Sequence, residues 1–170
     1  PKNMVNRTSM VLTNSKGKTR NSVMITKTMD NSRCQLIWFL EPKDDRGVSF
    51  LKIEHDDRDD EMRIWLPAFK RVRRISASKK GDSFMGSDLS YEDMTSRSLD
   101  ENEYKRLDDD VIDGRDCFVL KVTPTTSLKS SYSMHKLWIV KDDIYIVKEE
   151  SYDKREKLKK DKSFSYLKID

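Results

Sequence analysis

The stretch Met62–Met94, MRIWLPAFKRVRRISASKKGDSFMGSDLSYEDM, decides how this chain is read. It opens with a strand-like run, Met62–Leu66, stopped by Pro67, which has no N–H to give to a sheet. A second run, Lys70–Ser76, is dense in Arg. A small, polar segment follows over Ser76–Ser83. A short helix is expected over Leu89–Met94, with Ser87 or Asp88 as its N-cap, either as a lid or as a plain surface helix. Between Met62 and Gly81 stand seven Lys or Arg and no Asp or Glu. Trp65, Leu66, Phe69, Phe84, Met85 and Tyr91 lie among or just beyond these cations. No nucleophile is paired with a base here, so the stretch reads as a binding surface and not as a reaction centre.

Outward from it, nearly every segment alternates with period two and turn residues recur at short intervals, the pattern of an antiparallel meander. Strands are predicted at Arg7–Thr13, Thr19–Thr28, Arg33–Leu40, Val48–Glu54 and Glu61–Leu66. Leu36-Ile37-Trp38-Phe39-Leu40 is apolar on both faces, which predicts cover on both sides. On the C-terminal side, strands are predicted at Tyr104–Val111, Asp116–Val122, Met134–Val140, Ile144–Glu149 and Phe164–Ile169. Asp100 and Glu103 stand in capping-box register. The charged tract Glu149–Lys162 reads as either a short helix or a long hairpin tip, with its charges solvated. The acidic tip His55–Asp60 is a solvated hairpin loop; it has no Gly for the sharp turn of a calcium loop. About ten or eleven strands in one sheet curl or split. The expected fold is mainly β, an open (unclosed) antiparallel barrel with one or two short helices as lid or plug, in one domain over 1–170.

The 170 residues carry a net charge of +4, with 34 basic and 30 acidic residues interleaved. A dedicated nucleic-acid domain is more one-sided. Hydrophobic residues are only 35%, so a solid core uses nearly all of them, yet 8 Met and 15 aromatics exceed what a disordered chain carries. Cys34 and Cys117 are far apart and form no CxxC pair; one disulfide and two buried thiols both remain open. With His55 and His135 they lack zinc-ligand spacing, so no metal is expected. Neither His lies in a nucleophile motif, and there is no phosphate-binding Gly loop, so neither an enzyme nor a cofactor is expected. No run approaches the ~20 apolar residues of a membrane-spanning helix. The start at Pro1 is expected of a processed or trimmed piece, so the lack of a visible signal peptide is silent on compartment.

Three blocks carry a family likeness: Phe39–Gly47 (FLEPKDDRG), Ile64–Ile75 (IWLPAFKRVRRI) and Ser83–Asp93 (SFMGSDLSYED). Asp113–Leu120 (DGRDCFVL) and Lys136–Ile139 (KLWI) follow in the same order. Over most of Cys34–Glu150 the chain resembles the bacterial outer membrane lipoprotein-sorting proteins, which are similar to the periplasmic lipoprotein carrier LolA. The resemblance implies an unclosed barrel whose concave apolar face shelters acyl chains of a lipoprotein or lipid, and export to the periplasm or another extracytoplasmic space; a membrane transporter complex is a candidate donor, left open by the residues. Trp38, Leu40, Phe50, Trp65, Phe69, Phe84, Met85, Tyr91, Phe118 and Trp138 are the candidates for lining that face, each being equally suited to ordinary core packing. Lys70, Arg71, Arg73 and Arg74 are candidates for a rim meeting anionic head groups or a membrane surface, against a solvated strand face. An RNA-binding reading of this cluster lacks an RNP-like Gly-aromatic motif, so no nucleic-acid partner is expected. The alternative function is an envelope interaction or scaffold module on the same fold.

Overall fold

The computed structural model describes residues 2–166. It holds eleven strands in two antiparallel sheets and, among the described residues, five single turns of 3₁₀-helix with no α-helix. The chain divides into two compact units, Pro1–Ser96 and Arg97–Asp170. The first sheet runs β1 (Asn3–Thr13), β2 (Thr19–Met29), β3 (Cys34–Glu41), β4 (Ser49–Ile53), β5 (Glu61–Leu66) and β6 (Arg71–Ile75), each beside its neighbour in sequence. The second follows the same rule with β7 (Asn102–Ile112), β8 (Arg115–Pro124), β9 (Tyr132–Val140), β10 (Ile146–Asp153) and β11 (Leu158–Ser163). The strands do not close into a barrel. The expectation of a mainly β, unclosed antiparallel fold of ten or eleven strands is met.

Local departures have local causes. The helix expected over Leu89–Met94 is a single 3₁₀ turn at Glu92–Met94. Ser87 does not cap it, because its hydroxyl is used inside a tight turn: Oγ donates to the Phe84 carbonyl (2.7 Å) and accepts from the Leu89 N–H (3.2 Å). Met85 and Gly86 turn that corner at φ 52° and 76°, a region where Gly costs least. Asp93 instead gathers the Ser90 N–H and hydroxyl, both at 2.7 Å. The capping box at Asp100 and Glu103 does not form, since Glu103 is already in β7 and the preceding 3₁₀ turn is Leu99–Glu101. The tract Glu149–Lys162 is a hairpin, β10 pairing with β11 through Glu149 opposite Lys162 and Glu150 opposite Asp161. The strand expected at Phe164–Ile169 is absent over residues 164–166, and its remainder lies outside the described residues. Cys34 and Cys117 are free thiols, half-buried and buried respectively.

The second unit has an apolar cluster of Cys117, Val119, Trp138, Val140 and Val147 on one face of its sheet. On the other face it buries charge. Glu149 on β10 accepts from Arg97 Nη2 (2.5 Å), Lys162 Nζ (3.1 Å) and the Ser151 hydroxyl (3.1 Å). His135 Nδ1 lies 2.8 Å from Ser151 Oγ and 3.4 Å from the Glu149 carboxylate. Burial alone raises the Glu149 pKa, but hydrogen bonds from His135 and Arg97 and the charges of Arg97 and Lys162 outweigh it and hold the carboxyl far below its usual range. Burial pushes the His135 imidazole down, against the pull of Glu149.

Two outcomes follow from this packing. Phe50→Ala, in the first unit's core, costs about 3–5 kcal/mol in denaturant unfolding, whereas Trp65→Ala on the exposed face costs under about 1 kcal/mol. The buried His135 and Glu149 both have lowered folded-state pKa values, so the unfolded chain takes up their protons first and stability falls as pH falls. The loss begins below about 6.5 through His135 and deepens below about 4.3 through Glu149. Unfolding midpoints measured from pH 8 to 5 show that slope in the wild type, and a His135→Asn variant loses its upper part.

Candidate functional site

The period of two gives the first sheet two distinct faces, and strand register aligns them across all six strands. One rung of the covered face runs Thr26, Ile37, Phe50, Ile64 and Arg73; the next runs Thr28, Gln35, Lys52, Met62 and Ile75. Met24 and Phe39 form a third, shorter rung. The segment between β6 and the second unit folds back over this face. Phe84 stacks edge-on against Phe50 (centroids 5.4 Å) and Tyr91 (5.8 Å), Tyr91 meets Phe50 at 5.6 Å, and Phe39 reaches Phe84 at 6.1 Å. Met85, Leu89 and Met94 pack at its margin. The segment's backbone hydrogen bonds close on itself: Phe84 N–H to Leu89 C=O, Tyr91 N–H to Asp82 C=O, Glu92 N–H to Lys80 C=O. It is a clip ordered by its own turns, with Phe84 and Tyr91 packed on the apolar face of the sheet.

One end of the face is polar. Lys52, almost fully buried, donates to Glu54 Oε1 at 2.7 Å, and the Ser96 N–H donates to the same oxygen at 2.8 Å. Burial raises the Glu54 pKa, but these donors and the lysine charge bring it below its usual value. Beside Lys52, the buried Gln35 Oε1 has no hydrogen-bond partner among the described residues. An orphan buried acceptor costs about 1–3 kcal/mol and calls for an explanation. At the sheet's edge, Arg71 and Arg73 stand on the covered face, level with Leu66 and Ile64, and both are exposed.

Of the ten residues considered for lining, Phe50, Phe84 and Tyr91 meet in this cluster and Met85 packs against it. Leu40 is half-buried near the end of β3. Trp38 and Trp65 have the opposite parity to Phe39 and Ile64 and stand on the other face, 51% and 37% exposed. Phe69 sits in the turn between β5 and β6, 72% exposed. Phe118 and Trp138 belong to the second unit, on opposite faces of its sheet. Phe118 lies under Arg106 (4.8 Å), while Trp138 is buried, donates from Nε1 to Asp110 Oδ2 (2.9 Å) and is covered by Lys136 and Lys148 (4.4 and 4.8 Å). The four rim cations split by parity: Arg71 and Arg73 share the covered face, Arg74 the exposed one, and Lys70 occupies the turn at φ 48°. Gln35, Ile37, Ile64 and Lys52 are parts of the covered face that size and charge did not single out; their alternation along β3, β4 and β5 was the available signal.

The buried Ser151, His135 and Glu149 do not have the geometry of a nucleophile triad. The hydroxyl and the carboxylate meet the same ring nitrogen, Nδ1, whereas a triad needs the acid on one nitrogen and the nucleophile on the other. A cleft of about 520 Å³ at the bulge of β7 is lined mainly by Lys105, Arg106, Asp108, Asp109, Asp110 and Lys136, a polar surface unlike an acyl-chain site.

Among solved structures, a domain described as that of an outer membrane lipoprotein-sorting protein from Vibrio parahaemolyticus superposes with TM-score 0.84 at 31% identity, over 92% of this chain and 67% of that one. A DUF1329 family protein from Desulfovibrio piger gives TM-score 0.84 at 32% identity, over 92% and 68%. A LolA superfamily protein from Nitrosomonas europaea shares the fold at TM-score 0.64 and 18% identity, over 92% and 64%. No curated protein is similar at a significant level. Residues 31–169 match the model of a family described as uncharacterized protein-like. By this match and by its identity to the Vibrio domain over two thirds of that chain, the protein belongs to the bacterial outer membrane lipoprotein-sorting protein family, on the LolA-like fold.

Proposed function

We propose that this chain is a non-catalytic, extracytoplasmic carrier that binds acyl chains of a lipoprotein or another lipid on the covered face of the first sheet, with the clip of residues 82–94 as the exchangeable cover. The observation that carries the reading is the clip itself. Its backbone bonds run within it and to Lys80 just before it, and what its rings offer Ile37, Phe39, Phe50 and Ile64 is apolar contact. Such contact is non-directional, so an alkyl chain can replace Phe84 and Tyr91 without leaving a hydrogen bond unmade. Each CH₂ buried returns roughly 0.8 kcal/mol, so one long chain offsets the lost aromatic packing. Gln35 Oε1 gives an acceptor for the N–H of an N-acyl linkage. Arg71 and Arg73, exposed at the edge of the same face, would be the partners of an anionic head group. A membrane transporter complex as donor belongs to the same reading.

The filled face favours a second reading, in which the fold serves as an envelope interaction or scaffold module and the clip is permanent core. The two part on what happens when the clip is weakened. Phe84→Ser with Tyr91→Ser lowers stability by several kcal/mol and, in a carrier, raises uptake of a fluorescent long-chain fatty acid several-fold. In a scaffold it lowers stability and leaves uptake at zero. Organic extraction of wild-type protein after native mass spectrometry yields acylated species if the carrier reading holds; bare protein together with no uptake by the variant rejects it. Gln35→Leu separates a ligand-facing acceptor from a packing defect: removing an orphan acceptor raises the unfolding temperature in both cases, but only in the carrier does it weaken retention of an N-acylated ligand.

A further inference from the structure

The face of the first sheet that the clip leaves bare has its own composition. Its central rung runs Arg7, Ile25, Trp38, Ser49, Trp65 and Val72 across all six strands. The adjacent rung runs Val5, Lys27, Leu36, Leu51, Arg63 and Arg74. Trp38, Trp65 and Val72 are exposed, Val72 by 56%. Arg7, Lys27 and Arg74 form no ion pair among the described residues, and Arg63 pairs only with Glu61 (2.5 Å) at the start of its own strand. The turn joining β5 to β6 carries Phe69, also exposed, and Lys70. Two exposed indoles therefore stand on one regular surface among aliphatic side chains and cations, of which Arg63 is paired with Glu61.

We infer that this face docks on an anionic lipid bilayer. Indoles prefer the head-group level, where the ring is apolar and its N–H is wet. Cations beside them gain from the negative surface potential. Protein interfaces also favour Trp and Arg; what favours a bilayer here is that the two rungs carry four cations, Arg7, Lys27, Arg63 and Arg74, and no acidic residue, a one-signed surface that suits a negative plane. The inference does not depend on the carrier reading, because this face and the clip lie on opposite sides of the sheet.

Flotation with vesicles tests it. At low salt the protein floats with vesicles of phosphatidylcholine containing phosphatidylglycerol and not with phosphatidylcholine alone, and high salt releases it. Tryptophan emission shifts to the blue on binding, reported by Trp38 and Trp65 while buried Trp138 stays silent. Arg63→Ser with Arg74→Ser weakens binding roughly fivefold per cation, about 25-fold together. Trp38→Ser with Trp65→Ser abolishes the blue shift. Both variants keep the wild-type unfolding temperature within a few degrees and keep its fatty-acid uptake, whatever that uptake is. Wild-type protein that stays soluble with every vesicle overturns the inference and leaves the face to a protein partner; so does flotation that neither double variant alters.

Discussion

The contact of Phe84 and Tyr91 with Phe39 and Phe50 is the constraint on which the first unit depends. A six-stranded sheet with Met24, Ile37, Phe50, Ile64 and Ile75 on one face cannot leave that face in water. Each such side chain returns roughly 1.5–3 kcal/mol when fully buried. An α-helix would normally cover it, but the described residues hold none. The chain uses a looped clip of about a dozen residues, ordered by its own turns at Phe84–Leu89 and Ser90–Asp93. Cover and sheet are thus stabilised by different forces, directional bonds within the clip and apolar contact between clip and sheet. That separation makes the cover removable in principle without unmaking the sheet.

The second unit solves a different problem. A carboxylate placed on a covered sheet face is costly unless every partner is supplied. Glu149 has Arg97 from the chain entering β7, Lys162 from the edge strand, and His135 with Ser151 from the sheet interior. Four segments converge on one group, and a shift in the register of β9, β10 or β11 would break contacts to a buried charge. The cost is sensitivity to protonation, with the sign set by two lowered pKa values.

Much of this was legible in the residues. Alternation located β5 to the residue and nearly every other strand within a few positions, because period two is a local property. The likeness in FLEPKDDRG and IWLPAFKRVRRI carried the family. Which apolar side chains share a face was harder. Leu36–Leu40 is apolar on both sides, and parity within β3 separates Ile37 and Phe39 from Trp38, but only register with β4 and β5 tells which set meets Phe84. Size drew attention to Trp38 and Trp65 alongside Phe50, whereas parity divides them. Glu149 looked solvated because its partners Arg97 and His135 are distant in sequence. Alternation could place Gln35 on the covered face but not reveal its unmet acceptor, because an orphan acceptor is a property of surroundings and not of residue type.

The two faces of the first sheet pose one physical question twice. Both carry large apolar side chains, yet the chain covers only one. Leaving Trp38 half exposed forgoes roughly 25 cal/mol for every Å² of apolar surface still in water, a loss that a polar residue at that position would avoid. Arg63, Arg74 and Lys27 beside it keep the bare face soluble and discourage sheet stacking, as charged residues do on exposed strands. They also make it attractive to negative surfaces and unattractive to a second copy of itself. A surface that is apolar enough to bind, cationic enough to choose an anionic partner, and repelled by its own kind is consistent with transient adsorption. On the opposite side of the same six strands, the clip covers the other apolar face.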